Sequence, residues 1–190
     1  TDMFYVVDGD AYLEDNWDFD FNPKIFDRGF VHVYRSRNPI NGLLYGYGGV
    51  KLFPRKALLA VTDWKVDMTT SIGAKLKLMT KVSNTTSFNT DGFSTWRSAF
   101  RECAKLSSRV IDNQLDDESE VRLNIWCTAG ADKIFGQECI DGATAGRFYG
   151  ETFKDDPEKL KMINDFAWLE NKYKQYIDCL LYTSPSPRDQ

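Results

Sequence analysis

A single histidine, His32, and four cysteines without Cys-x-x-Cys spacing are all that this 190-residue chain offers to soft metals. No zinc site is indicated, and Cys103, Cys127, Cys139 and Cys179 suggest no disulfide framework, so a reducing cytoplasm is expected. Long apolar runs are lacking too. None approaches the roughly 18 to 20 residues that span a bilayer, and no basic stretch followed by an apolar core opens the chain, so no membrane association is expected. Basic residues are outnumbered, 24 Lys and Arg against 28 Asp and Glu, for a net charge of -4. That balance works against a strong, sequence-independent grip on nucleic acid, which needs clustered cations to displace counterions.

What is present is a 42% hydrophobic content, enough for one domain with its own core. Met3 to Val7 reads as a fully buried strand, since it is continuously apolar. Glu14 to Asn22 reads as an acidic loop in which Trp17, Phe19 and Phe21 serve either the core or a sugar platform, with the core favoured. Phe30 to Arg35 and Tyr45 to Phe53 read as a hairpin-like pair of strands around the turn-rich 36–42 segment, followed by a short helix from Pro54 to Val61. A polar stretch precedes a strand over Lys81 to Phe88. Helices are expected after Thr90-Asp91, after Asp116-Asp117-Glu118, over Gln137 to Tyr149 and from Pro157.

The chemistry concentrates at the end of the first strand. An apolar strand running into Asp8-Gly9-Asp10 places two carboxylates where α/β enzymes bind ligands, outside the carboxyl ends of strands. Hard oxygen ligands of this kind suit Mg²⁺ or Mn²⁺. The same tripeptide also suits a turn in which Asp caps the backbone. A haloacid-dehalogenase-like phosphatase uses a comparable strand end. Its pattern continues with Gly-Thr where this chain has Ala11-Tyr12, and the later pairs Asp116-Asp117 and Asp155-Asp156 fall at helix starts.

Residues 4–10, Val31-His32-Val33-Tyr34-Arg35-Ser36, the run from Tyr45 through Gly48-Gly49 to Arg55, Phe88-Asn89-Thr90-Asp91 and the run 95–102 together resemble a family of glycosyltransferase-like proteins of tailed marine phages. The resemblance reaches about Glu170 and implies a partial GT-A (nucleotide-diphospho-sugar transferase-like) domain of α/β class, a mixed sheet followed by C-terminal helices. It implies transfer of a sugar from a nucleoside diphosphate sugar, with Asp8 and Asp10 on Mn²⁺ or Mg²⁺ and an unknown acceptor. Gly48 and Gly49 are then the pair that lets donor or acceptor approach the backbone, or else a β-bulge. Asp91 is then the base that deprotonates the acceptor, or else a helix N-cap. Arg97 and Arg101, one helical turn apart, face a diphosphate or solvent. His32 reads as a structural residue. A non-catalytic binding module of the same fold is the alternative.

The chain enters its first strand at once, and such proteins carry a nucleotide-binding half before the acidic motif. Residues 1–178 are therefore expected to be the C-terminal part of one GT-A-like domain, inactive and poorly soluble by itself. Residues 179–190 contain a run, Cys179 to Asp189, similar to the conceptual translation of a transposase sequencing adapter, and are expected to be an artefact.

Overall fold

Six strands form one mixed sheet: Met3–Val7 (β1), Ala11–Leu13 (β2), Val31–Arg37 (β3), Leu44–Tyr45 (β4), Val50–Pro54 (β5) and Leu76–Thr86 (β6). The structure is a computed structural model that describes residues 2–45, 49–63, 71–72, 75–110 and 116–183. The strand order is β1-β5-β3-β6-β2, with β4 beside β3. All pairs are antiparallel except β3 with β6, so β1, β3 and β6 run in one direction. Val31 to Tyr34, apolar or aromatic but for His32, makes β3 the buried centre.

β1 is not the fully buried strand expected from its sequence. It forms an edge, pairing only with β5 among the described residues, and Val7 is 41% exposed. Its continuous apolarity has another cause: Phe4 and Val6 pack beside Val31, Val33 and Phe53 on one face, while Met3 and Tyr5 pack beside Tyr34 and Leu52 on the other. β6 begins at Leu76 rather than 81, absorbing part of the segment read as polar, and the three-residue β2 was not expected at all. Both differences follow from pairing, since half-polar residues take strand geometry once a neighbour supplies the ladder. Trp17, Phe19 and Phe21 lie over Tyr5, Tyr34 and His32 on one face of the sheet; Trp17 packs against the core, while Phe19 and Phe21 stay 46% and 38% exposed at its rim.

The helices are Arg55–Leu59 (α1), Gly92–Ser108 (α2), Asp116–Thr128 (α3), Gly136–Phe153 (α4), Pro157–Lys161 (α5) and Phe166–Thr183 (α6). The single final helix read from Pro157 is thus two. The first runs into a 3₁₀ turn over Met162–Asn164, and Asp165 then starts the second by accepting the Trp168 N–H at 3.1 Å. α6 runs through Cys179–Thr183.

α4 carries glycine every fourth residue, at Gly142, Gly146 and Gly150. Each sits on a backbone carbonyl of α2, those of Trp96, Phe100 and Ala104 in turn, so closely that a Cβ would collide with backbone. Both series rise together, so α2 and α4 run in the same direction with their backbones in contact, a geometry that only side-chain-free positions permit. Ile40 and Phe88 from the sheet edge join Leu106, Leu123 and Trp126 in the helical core, which ties the helices to the end of the sheet rather than to a face. Gly146→Ala is expected to destabilise by about 3 kcal/mol or to prevent folding, because the opposing atom is a helix carbonyl that cannot turn aside; urea denaturation measures it.

His32 is fully buried on β3 with the Phe21 ring 5.3 Å away, and neither ring nitrogen has a hydrogen-bond partner among the described residues. Burial pushes its pKa below the ordinary 6.5, with Lys77 acting in the same direction and Asp27 against it. The unfolded chain therefore binds the proton more readily than the folded one. The stability from neutral His32 is fully present above the unfolded value and is lost as pH falls through about 6.5 towards the lower folded value. Because the chain has one histidine, unfolding free energy measured from pH 8 to 5.5 should fall below pH about 6.5 in the wild type, and His32→Phe should flatten that step.

Candidate functional site

Because β1, β3 and β6 share a direction, their carboxyl ends emerge at one edge of the sheet, where ligands bind in open α/β sheets. α2 and α3 lie across that edge, and a cavity of about 200 Å³ remains between them and the sheet. Asp8 and Asp10 line it from the turn after β1, Ser36 and Asn38 from the end of β3, Gly49 from the start of β5, and Thr86 and Phe88 from the end of β6. The opposite wall is one face of α2, presenting Ser98, Arg101, Glu102 and Lys105 at successive helical turns, with Trp126 of α3 behind.

The backbone fixes both aspartates. Asp8 donates its N–H to the Gly49 carbonyl at 2.7 Å and accepts from Ala11 N at 3.1 Å, closing a turn. The Asp10 carbonyl accepts from Ser87 N at 2.6 Å. The Asp8 carboxylate is 3.5 Å from the Lys51 ammonium, whose side chain is almost wholly buried. A buried lysine requires such a partner. Asp10 has no ion-pair partner among the described residues. Among the described residues, no three His, Cys, Asp or Glu side chains converge tightly enough to hold a metal by themselves.

Beneath the turn lies a buried polar network. Ser36 Oγ donates to Asn84 Oδ1 at 2.7 Å and accepts from Gly49 N at 3.1 Å, while Ser83 Oγ donates to the same Asn84 oxygen at 2.8 Å. It joins β3, β5 and β6 where they meet the cavity. Gly49 must be glycine for an internal reason: a Cβ there would lie 2.5 Å from the Ala11 Cβ. The approach it permits is to the chain itself, and Gly48 lies outside the described residues.

Asp91 and Arg97 do not line this cavity. Asp91 is the N-cap of α2, accepting from Ser94 N at 2.7 Å and Ser94 Oγ at 2.8 Å. Those bonds hold its pKa below the ordinary carboxyl value, which weakens it as a base. Arg97 stacks on Phe166, 4.4 Å from the ring centroid, with Phe93 on its other side. Arg101 reaches the cavity wall, yet its guanidinium donates to the Ile163 carbonyl and to Asn164 Oδ1, each at 2.8 Å.

Asn38, Thr86, Ser98, Glu102, Lys105 and Trp126 are among the site residues to which the reading of the sequence gave no chemical role. Glu102 had a legible signal, since it lies on a helix between the buried positions Ala99 and Cys103, where a carboxylate is not expected to face only solvent. No family model, curated protein or solved structure matches the chain.

The cap geometry gives a direct test. Asp91→Ala should cost about 1 kcal/mol of unfolding free energy, whereas Asp91→Asn should retain most of it, because the amide oxygen still accepts from Ser94 N. Equal losses in chemical denaturation would contradict the cap role.

Proposed function

We propose that the cavity is the metal and acceptor side of a GT-A type glycosyltransferase, which moves a sugar from a nucleoside diphosphate sugar to an acceptor hydroxyl. The observation that supports this reading is the convergence of Asp8 and Asp10 with the polar face of α2 on one cavity at the carboxyl edge of the sheet. Two carboxylates fit Mg²⁺ or Mn²⁺, which keep waters and take further ligands from substrate phosphates rather than from a full protein cage. Asp8 and Asp10 would hold the ion, and the ion would supply charge neutralisation at the departing diphosphate.

The chain's own residues provide placement. Lys51 keeps the Asp8 carboxylate oriented from its buried side, and the Asp8 and Asp10 backbone bonds make the turn rigid before any ligand arrives. Asp91 is not assigned the base role, since its carboxylate is engaged in capping and stands away from the cavity wall. One observation favours a non-catalytic binding module of the same fold: Lys51 already compensates the charge of Asp8 without a metal.

Manganese separates the two. In a protein that also carries the nucleotide-binding half, the enzyme reading expects Mn²⁺ to bind with loss of its free-ion electron paramagnetic resonance signal, and sugar-nucleotide hydrolysis to require it. Asp10→Ala should restore the free-ion signal and abolish hydrolysis while leaving the melting temperature within a few degrees, whereas Asp8→Ala should do both and also melt lower, because it leaves Lys51 buried without its partner. If that protein leaves the Mn²⁺ spectrum untouched in the presence of nucleoside diphosphate sugar, the enzyme reading is excluded.

A further inference from the structure

At the end of the sheet opposite the candidate site, where β3 and β6 begin and β5 ends, two segments far apart in sequence meet. Arg28 and Gly29, leading into β3, and Arg55, Lys56 and Leu59, following β5, line one recess of about 620 Å³. Ile25, Phe26 and Leu59 stand at this corner 84%, 69% and 74% exposed. Three large apolar side chains held together in water add nothing to the core, and such a patch marks a contact surface.

Cations surround these tips. Lys24, Arg28, Arg55 and Lys56 are all exposed, and none has a carboxylate partner among the described residues. Lys24 lies 5.9 Å from the Phe26 ring centroid, and Arg28 donates over long distances, 3.4 Å to the Pro23 carbonyl and 3.5 Å to Asn22 Oδ1. Asp27, in the same loop, is held by Lys77 Nζ at 2.8 Å. Asp2 is the one carboxylate among the described residues that line the recess, so Arg28, Arg55 and Lys56 outnumber it there. The chain as a whole carries a net charge of -4. Beyond a screening length of about 8 to 10 Å that total is hidden, and a partner at this corner meets the local positive excess.

Projecting apolar tips beside unpaired Lys and Arg match the headgroup boundary of an anionic bilayer, where cations meet lipid phosphates and apolar side chains enter the acyl region. A guanidinium suits a phosphate, and the recess is large enough for one headgroup. A second copy fits less well, since a two-fold contact through this face would set like charges against each other. Duplex nucleic acid would take the cations and leave the tips in water. Among the described residues no helix is long and apolar enough to cross a membrane, and surface binding requires none. We propose that this corner is a peripheral docking surface for an anionic lipid membrane, with the candidate site at the other end of the sheet turned away from the bilayer. The assignment does not depend on the glycosyl-transfer reading.

Vesicle flotation of the full chain tests it, because aggregated protein stays at the bottom of the gradient. Phosphatidylcholine vesicles with about 30% phosphatidylserine should carry the chain upward at about 50 mM salt and release it at about 0.5 M, and pure phosphatidylcholine should leave it behind. Arg55→Gln with Lys56→Gln should weaken binding by at least about tenfold, at roughly fivefold per cation near the surface. Ile25→Ser with Leu59→Ser should also weaken it by at least about tenfold, through lost apolar burial. Both pairs change exposed side chains and should melt as the wild type does. Lys161→Gln with Lys174→Gln, exposed cations of α5 and α6, should bind as the wild type does. The surface is overturned if anionic vesicles leave the chain unbound, if this last pair weakens binding as much as the first, or if Ile25→Ser with Leu59→Ser binds undiminished. Duplex DNA bound as tightly as the vesicles would give the cations to nucleic acid. Self-association without vesicle binding, abolished by Ile25→Ser with Leu59→Ser, would give the face to a second copy, and either result overturns the lipid assignment.

Discussion

The contact between α4 and the backbone of α2 sets the geometry of everything near the cavity. Gly142, Gly146 and Gly150 put no side chain on the seam itself, so α2 meets α4 at three carbonyl contacts along its length, flanked by side-chain packing such as Phe100 on Tyr149. That fixes which face of α2 is turned away from α4. Ser98, Glu102 and Lys105 occupy this other face and become the wall opposite Asp8 and Asp10. Ile40 and Phe88 then lock the helical layer onto the sheet edge through the same core as Leu123 and Trp126.

On the sheet side the equivalent constraint is the Ser36, Asn84 and Gly49 network. Buried hydroxyl and amide groups are costly unless paired, so these side chains hold three strands in a single register at the point where the acidic turn leaves β1. Gly49 also admits Ala11 at a distance that no larger residue would permit. The turn is thus braced from below by hydrogen bonds and from the side by packing, while its carboxylates face the cavity.

The cavity's electrostatics are mixed rather than uniformly acidic. Lys51 stands against Asp8, and Lys105 stands against Glu102. Paired charges in a recess can be displaced by a ligand of either sign, which distinguishes this site from a preassembled cage of acidic ligands.

The sequence by itself determined the class of the chain and the nature of most of its elements. Continuous or alternating apolar runs marked β1, β3 and β5, and the Asp91 and Pro157 signals marked helix starts, because periodicity and capping are local properties written in adjacent residues. Asp8 and Asp10 were legible for the same reason. Only the tertiary structure decided that β1 is an edge strand, that β6 extends back to Leu76, and that the last helix breaks at Asp165. It alone gave Arg97 to a stack on Phe166, and it alone brought Asn38, Glu102 and Trp126 to one cavity. Those outcomes depend on which distant surfaces meet, and a juxtaposition across 60 or more residues of intervening chain, such as Asn38 and Glu102 lining one cavity, leaves no local pattern to be read.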